Sequence, residues 1–90
     1  MADVIRGRVT RVIDGDTFEM SVTSVNAPSG NKYGSSETIR IATIDAPELS
    51  TPAGKRSKDA LERKLIGQSV TCTVQARDTY GRVVANVRIG

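Results

Sequence analysis

The sequence alternates apolar and polar residues in five short segments, and one amphipathic segment interrupts them after the third. The alternation runs through residues 4–13, 17–25, 37–44, 69–76 and 83–89. Because successive side chains of a strand point to opposite faces, each segment predicts a β-strand with one buried face. In the second segment, for example, Phe18, Met20 and Val22 share one face. We therefore expect a mainly β protein.

The interrupting segment carries the start and stop signals of a single helix. Thr51 suits the N-cap, Pro52 suits the first helical position, and Gly67 suits the position after the last turn. Three strands, one helix and two further strands match a five-stranded OB-type barrel of α+β content. At 90 residues the chain is expected to form one such domain, spanning residues 1–90.

Two stretches between the predicted strands have the composition of turns. The sequence Asp14-Gly15-Asp16 supplies the side-chain hydrogen bonds and the backbone freedom of a tight hairpin. Residues 26–36 are dense in Gly, Ser, Asn and Pro, and they predict a long exposed loop between the second and third strands. Within that loop, contact of Lys32 and Tyr33 with a ligand is the alternative, and we expect both to be solvated.

The residue types that are missing narrow the chemistry. The chain has no histidine and a single cysteine, Cys72. These counts exclude Ser-His-Asp and Cys-His sites, zinc sites of the usual kind, and a disulfide within one chain. Hydrolytic chemistry would therefore use carboxylates, arginines and a hard metal ion bound through oxygen. Cys72 alternates with Val70 and Val74, which predicts a small core residue.

Charge and hydropathy give only weak indications of what the chain binds. The net charge of +3 mildly favours a polyanionic partner. No apolar run is long enough to cross a bilayer, so no membrane partner is expected. No secretion signal follows Met1, so the sequence fits a cytoplasmic protein, or a secreted or periplasmic domain whose signal has been removed.

Five charged residues fall on the predicted strands or close to their ends. Asp16 closes the first hairpin, Asp45 is expected to end the third strand, and Glu48 follows in a backbone that Pro47 keeps extended. Arg40 lies on the third strand, and Arg82 precedes the fifth. Carboxylates meeting at one rim would suit Ca²⁺ or Mg²⁺, and the arginines would suit a phosphate. Turn formation and simple ion pairing would explain each residue singly.

Three motifs together identify a resemblance. The stretches "VIDGDTF", "IRIATIDAPE" and "DTYGRVVA" resemble, in this order, the staphylococcal nuclease (thermonuclease) family. The resemblance covers about residues 4–89, nearly the whole chain. Each motif alone is weak, whereas the ordered set is specific.

The resemblance implies a calcium site. By it, the carboxylates of Asp16 and Asp45 and the backbone carbonyl of Ala46 would bind one Ca²⁺. Asp14 would lie in the outer shell of that ion. Ala46 stands where well-studied members carry threonine, but a carbonyl ligand survives that change.

The resemblance also implies a phosphate clamp and a base. Arg40 and Arg82 would grip the scissile phosphate and stabilise its transition state. Glu48 would activate or position the attacking water, and Tyr80 would contact a substrate phosphate. Thr79 precedes Tyr80 where family members often have lysine, which would weaken phosphate affinity.

We therefore predict a calcium-dependent endonuclease that hydrolyses phosphodiester bonds of DNA or RNA with little sequence preference. The alternatives are a non-catalytic nucleic-acid-binding module and a protein-interaction domain. The family usually continues into C-terminal helices that cover the barrel, and these are lacking after the fifth strand. Uncovered apolar residues there, such as Val87 and Ile44, predict self-association or a weakly stable monomer.

Overall fold

Five strands close into a barrel, and one helix lies between the third strand and the fourth. The structure is a computed structural model that describes all residues, Met1–Gly90. The elements are β1 (Val4–Asp14), β2 (Thr17–Asn26), β3 (Ser36–Ile41), α1 (Pro52–Leu65), β4 (Ser69–Arg77) and β5 (Val83–Ile89). The barrel order is β1-β2-β3-β5-β4, and β3 pairs with β5 in parallel. This confirms the predicted mainly β, α+β barrel with its single helix.

The core lies inside the barrel and is built from the alternating inward faces of the strands. Its largest fully buried members include Phe18, Ile5, Met20 and Ile39. Cys72 is also fully buried, and burial raises the pKa of its thiol to about 12. The cysteine is a packing residue of the core, as its alternation predicts, because its side chain is completely buried among apolar neighbours.

The helix α1 packs against the barrel and begins where its sequence signals predict. Thr51 is the N-cap, and its hydroxyl accepts a hydrogen bond from the Gly54 N–H at 3.0 Å. Leu61 and Leu65 are buried in the core. Gly67 follows the helix with a φ of 73°, which glycine adopts without steric cost. No helix in the structure combines the length and apolar character needed to cross a membrane.

The third strand is shorter than the alternation predicts. It ends at Ile41, and the prediction that it continues through residue 44 is wrong. The guanidinium of Arg40 donates to the carbonyl oxygens of Ile41 at 2.7 Å and Ile44 at 2.8 Å, which holds the chain in a turn. Asp45 therefore follows a turn that leaves the barrel, and does not end the strand.

The long loop between β2 and β3 is present, but it is fastened to the barrel. The Tyr33 hydroxyl donates to the carboxylate of Asp3 at 2.7 Å, and the Ser29 N–H donates to the same carboxylate at 3.1 Å. The guanidinium of Arg77 lies 5.5 Å from the centre of the Tyr33 ring. The expectation that Tyr33 is solvated is wrong, since a buried Asp3 binds it, whereas Lys32 is exposed.

Candidate active site

Asp16 lies at the centre of the candidate site, in the turn between β1 and β2. The residue is only 8% exposed. Its carboxylate accepts hydrogen bonds from the Thr17 hydroxyl at 2.9 Å and the Ala46 N–H at 3.4 Å. Its own carbonyl accepts from the Ile41 N–H at 2.8 Å. The hairpin turn, the end of β3 and the segment that carries Ala46 therefore meet at one carboxylate.

Glycine at position 15 allows this close packing. A Cβ atom there would lie 2.6 Å from the Cβ of Ser57 and 2.7 Å from the Cβ of Ala46. Both distances are shorter than carbon atoms tolerate, so a larger residue would push α1 and the Ala46 segment away from the turn. The "DGD" motif is thus a packing requirement as well as a turn signal.

Arg40 bridges two of the predicted carboxylates. Its Nη2 atom lies 3.4 Å from Oδ2 of Asp16 and 3.8 Å from Oδ1 of Asp45. The side chain of Arg40 is one-quarter exposed, and that of Asp45 is fully exposed. With Nη1 bound to two carbonyls of the turn, the guanidinium is held in place at the protein surface. A fixed, permanently charged fork of this kind suits a phosphate.

Asp14 and Asp16 influence each other's ionisation. Partial burial, and then the neighbouring Asp16, raise the pKa of Asp14 above its ordinary value. Burial also acts to raise the pKa of Asp16, but its interaction with the Asp14 side chain and the hydrogen bond from the Thr17 hydroxyl outweigh burial and lower that pKa. The Asp14 carboxylate in turn accepts from the Asp16 N–H at 3.1 Å. The two adjacent carboxyl groups therefore ionise at different pH values.

Arg82 has a carboxylate partner of its own. Its Nε donates to Oδ2 of Asp78 at 2.6 Å, and its backbone N–H donates to Oδ1 of Asp78 at 2.8 Å. Burial acts to raise the pKa of Asp78, but the hydrogen bonds from Arg82 outweigh it and lower that pKa. The Arg82 guanidinium also lies 5.3 Å from the centre of the Tyr80 ring, and Tyr80 is 84% exposed.

The pairing of β3 with β5 places the two arginines on one side of the barrel wall. Ile39 pairs with Val83, and both are buried. Arg40 pairs with Val84 and therefore faces outward, because side chains alternate along a strand. Arg82 immediately precedes the buried Val83 and lies on the same outward side. The parallel pairing therefore places both arginines at neighbouring strands on the outer side of the barrel.

Glu48 lies in the segment between β3 and α1, with its side chain exposed. Its carbonyl accepts hydrogen bonds from the hydroxyl of Thr51 at 2.7 Å and from the Thr51 N–H at 3.0 Å. A Cβ atom at position 54 would overlap that carbonyl, so Gly54 allows the segment to approach the helix. The backbone of Glu48 is therefore anchored to the first turn of α1, while its carboxylate is free.

The structure brings together only part of the predicted site. One cluster contains Asp14, Asp16, Arg40, Asp45 and Ala46, whereas Glu48, Tyr80 and Arg82 make no hydrogen bond or ion pair with it. No three Asp, Glu, Cys or His side chains converge at the spacing of metal ligands. The atoms of the cluster that can coordinate a metal ion are nevertheless all oxygens, and oxygen ligands suit a hard cation such as Ca²⁺. A cation would also relieve the repulsion between Asp14 and Asp16.

Sequence reasoning missed two residues that orient the site. Thr17 binds the central carboxylate of Asp16, and Asp78 binds Arg82. In "RDTYGR" the aspartate precedes the second arginine by four residues, in a stretch with turn composition. That spacing is the signal that would have indicated the Asp78–Arg82 pair.

Comparison with known proteins yields a consistent set of relatives. The family model described as "Staphylococcal nuclease homologue" matches residues 38–90. An "Uncharacterized endonuclease" of Escherichia coli is 37% identical over 83 residues, which cover 92% of this chain and 48% of that protein. A "Micrococcal nuclease" of Shigella flexneri is 33% identical over 82 residues, or 91% of this chain and 41% of that protein.

A fungal protein, "Probable endonuclease LCL3" of Schizophyllum commune, is 35% identical over an alignment 103 residues long. The alignment covers 94% of this chain and 35% of that protein. The chain therefore spans about half the length, or less, of these curated relatives. The family model matches more than half of the chain, and the matched residues include the motifs around Arg40 and Arg82. The chain belongs to the family of staphylococcal nuclease homologues.

Proposed function

We propose that this chain is a nuclease domain that hydrolyses phosphodiester bonds in DNA or RNA with the help of Ca²⁺. The observation that carries the proposal is the Arg40 guanidinium, held 3.4 Å from the buried Asp16 carboxylate with part of its surface open to solvent. The names of the relatives, which include two endonucleases and a micrococcal nuclease, support the same reaction. Residues 1–90 act as one domain in this proposal.

Arg40 and Arg82 bind the scissile phosphate. Each offers several N–H donors in a plane, and that geometry matches two oxygens of a phosphate. Their contribution is largest in the transition state, where negative charge accumulates on the phosphorus oxygens. Carbonyl oxygens hold Arg40 in place and Asp78 holds Arg82, so little reorganisation is needed when the substrate binds.

Glu48 acts as the base that accepts a proton from the attacking water. Its carboxylate is exposed and makes no hydrogen bond in the structure, so it is free to contact that water. The anchoring of its carbonyl by Thr51 limits where the side chain reaches. A general base at such a position typically contributes about 10²–10⁴-fold to the rate.

The calcium ligands are the carboxylates of Asp16 and Asp45 and the carbonyl of Ala46, with Asp14 in the outer shell. When bound, the ion supplies positive charge that stabilises the reacting phosphate. Asp16 lies buried against Thr17 and is therefore pre-positioned, whereas Asp45 is exposed and has to be ordered on binding.

Little sequence preference follows from the kind of contacts. The groups proposed to act on the substrate are arginines that bind the phosphate, carboxylates that hold the ion or accept a proton from water, and the exposed ring of Tyr80. Contacts to phosphates position a nucleic acid but do not read its bases. We therefore propose both DNA and RNA as substrates.

One experiment separates this proposal from its alternatives. The purified chain is incubated with single-stranded DNA and with RNA, in Ca²⁺ and in a chelator, beside the variants Arg40→Ala and Glu48→Gln. Cleavage by the wild type in Ca²⁺ alone, lost in both variants, is the expected result. Arg56→Ala is the matched control, because Arg56 is an exposed helix arginine without an ion pair.

The alternatives give different results in the same experiment. A non-catalytic nucleic-acid-binding module would bind the labelled strands in every condition without cutting them. A protein-interaction domain would neither bind nor cut. Cleavage that Glu48→Gln leaves unchanged would remove Glu48 from the proposed role.

A further inference from the structure

Three arginines lie together on the outer face of β1, β4 and β5. Arg6 of β1 pairs with Thr71 of β4, and Thr71 pairs in turn with Arg88 of β5. Neighbouring strands are about 4.8 Å apart, so the backbones of Arg6 and Arg88 are about 10 Å apart. Arg8 follows Arg6 by two residues on the same face, about 7 Å further along the strand. We call Arg6, Arg8 and Arg88 the arginine face.

The charges of the arginine face are not neutralised by the protein. All three residues are exposed. The ion pairs of the structure use other basic residues, namely Arg11, Arg40, Arg77 and Arg82. Arginines on helix α1 differ, because Asp59 and Glu62 lie among them. No side-chain carboxylate therefore forms an ion pair with any of the three arginines of the face.

The neighbours of these arginines share one property. Every residue that pairs with one of the three across the β-ladder carries a hydroxyl group, and these residues are Ser21, Ser24, Ser69 and Thr71. Hydroxyl and guanidinium groups are donors that proteins use for phosphate oxygens. The three serines are exposed, whereas Thr71 is buried and its hydroxyl donates to the Gly90 carbonyl at 2.6 Å. An exposed surface of arginines and serines complements a chain of phosphates.

We propose that the arginine face is a docking surface for the phosphate backbone of single-stranded nucleic acid, separate from the site that contains Arg40. The choice of a nucleic acid rests on the proposed function, since a nuclease domain meets this polyanion as its substrate. Binding to a membrane surface would be expected to add large apolar side chains beside the basic ones, and the ladder neighbours here are hydroxyl residues.

The geometry connects the two surfaces through β5. Arg82 and Arg88 are six residues apart on this strand and its approach, which corresponds to about 20 Å. Arg82 and Arg88 are separated by an even number of residues, so their side chains lie on the same outward side of the strand. Asn86, between them, lies on that side too. A strand bound at Arg82 can therefore continue along β5 to the arginine face. Substrates that extend this far would bind more tightly than very short ones.

The test measures binding without cleavage. A fluorescently labelled single-stranded DNA of about 16 nucleotides, the upper site size of an OB-type fold, is titrated in chelator at several salt concentrations. The variant Arg6→Gln/Arg8→Gln/Arg88→Gln should lose on the order of tenfold or more in affinity at low salt. Its slope of log affinity against log salt should fall by about 2, because each phosphate contact on a single strand contributes about 0.7.

Two further variants make the result specific. The triple variant Lys55→Gln/Arg56→Gln/Arg63→Gln removes the same charge from α1 and should change the slope little. The triple lysine variant Arg6→Lys/Arg8→Lys/Arg88→Lys keeps the charge and should retain most of the affinity. Equal losses in the two glutamine variants, or an unchanged slope in the first, would overturn the proposal. A retained circular dichroism spectrum shows that each variant is folded.

Two additional measurements separate this proposal from membrane binding and from an effect on the proposed active site. The chain should bind only weakly to vesicles of phosphatidylcholine with phosphatidylserine. If the first glutamine variant lost vesicle binding but kept its DNA binding, the proposal of a nucleic-acid docking surface would be overturned. Cleavage of a dinucleotide in Ca²⁺ should be unaffected by the first glutamine variant. Because binding is measured in chelator, the docking surface is tested even if the chain fails to cleave any substrate.

Discussion

The Nε atom of Arg82 donates to the carboxylate of Asp78 at 2.6 Å, and the backbone N–H of Arg82 donates to the same side chain. Arg40 is held differently, by the carbonyl oxygens of Ile41 and Ile44, with the Asp16 carboxylate 3.4 Å away. Each proposed phosphate-binding arginine is therefore oriented by the protein before a substrate arrives. In Arg82 the bond uses Nε, which leaves both terminal nitrogens for a phosphate.

Asp78→Asn should lower turnover while leaving the fold intact. The asparagine oxygen still accepts backbone N–H bonds of the turn, but it no longer holds the guanidinium by charge. A misplaced clamp costs about ten- to a hundredfold in kcat. Steady-state kinetics measures this loss of kcat. Glu37→Gln is the control, because Glu37 pairs with Arg77 outside the proposed clamp. Equal effects of the two substitutions on kcat would contradict a positioning role for Asp78.

Arg82→Lys should be nearly as damaging as Arg82→Ala. Lysine keeps the charge but cannot reproduce the planar set of donors. By analogy with arginines in other phosphoryl transfers, each variant should lose on the order of 10³-fold in kcat. Single-turnover cleavage of a labelled strand measures the loss. A lysine variant with near-normal turnover would assign Arg82 to the ion pair with Asp78 alone.

Asp16→Asn should abolish Ca²⁺ binding measured by calorimetry. Asp16 is the one buried carboxylate of the proposed site, so no neighbour can replace it. Asp14→Asn should weaken binding only about 10–100-fold, as expected for an outer-shell residue. Asp59→Asn, on the exposed side of α1, serves as the control. Unchanged Ca²⁺ affinity in the Asp16 variant would refute the metal assignment.

Tyr33→Phe should destabilise the barrel, whereas Tyr80→Phe should not. The Tyr33 hydroxyl binds the buried carboxylate of Asp3, but that of Tyr80 makes no hydrogen bond and the residue is 84% exposed. For a domain of this size one lost hydrogen bond corresponds to about 4–8 °C in Tm. Differential scanning calorimetry at neutral pH compares the two variants directly, and equal Tm values would contradict the prediction.

The effect of Tyr33 should depend on pH in a defined direction. Hydrogen bonds from Ser29 and then Tyr33 lower the pKa of Asp3 below its ordinary value of 3.8. The ionised carboxylate therefore stabilises the folded state above that value, and this stabilisation is lost as the pH falls through the lower pKa of the folded state. The difference in Tm between the wild type and Tyr33→Phe should shrink over the same range. If the difference in Tm between the two proteins grew on acidification, the prediction that the ionised Asp3 carboxylate stabilises the folded state through Tyr33 would be wrong.

Much of the fold and of the residue set could be read from local patterns. Alternation placed β1, β2, β4 and β5, and the signals at Thr51, Pro52 and Gly67 placed the helix, because these depend on neighbours in the sequence. The motifs around Asp16, Arg40 and Arg82 identified the family. The roles of these residues, the calcium ion and self-association stay predictions.

The sequence by itself determined which side chains are candidates for the chemistry, while the tertiary structure decided which of them meet. Alternation extended β3 to residue 44, but side-chain bonds from Arg40 to two carbonyls end it at Ile41 and carry Asp45 into solvent. Asp3 and Tyr33 pair across 30 residues of chain, and Arg6 and Arg88 become neighbours only through β4. Such contacts depend on barrel closure and strand register, which no local pattern encodes.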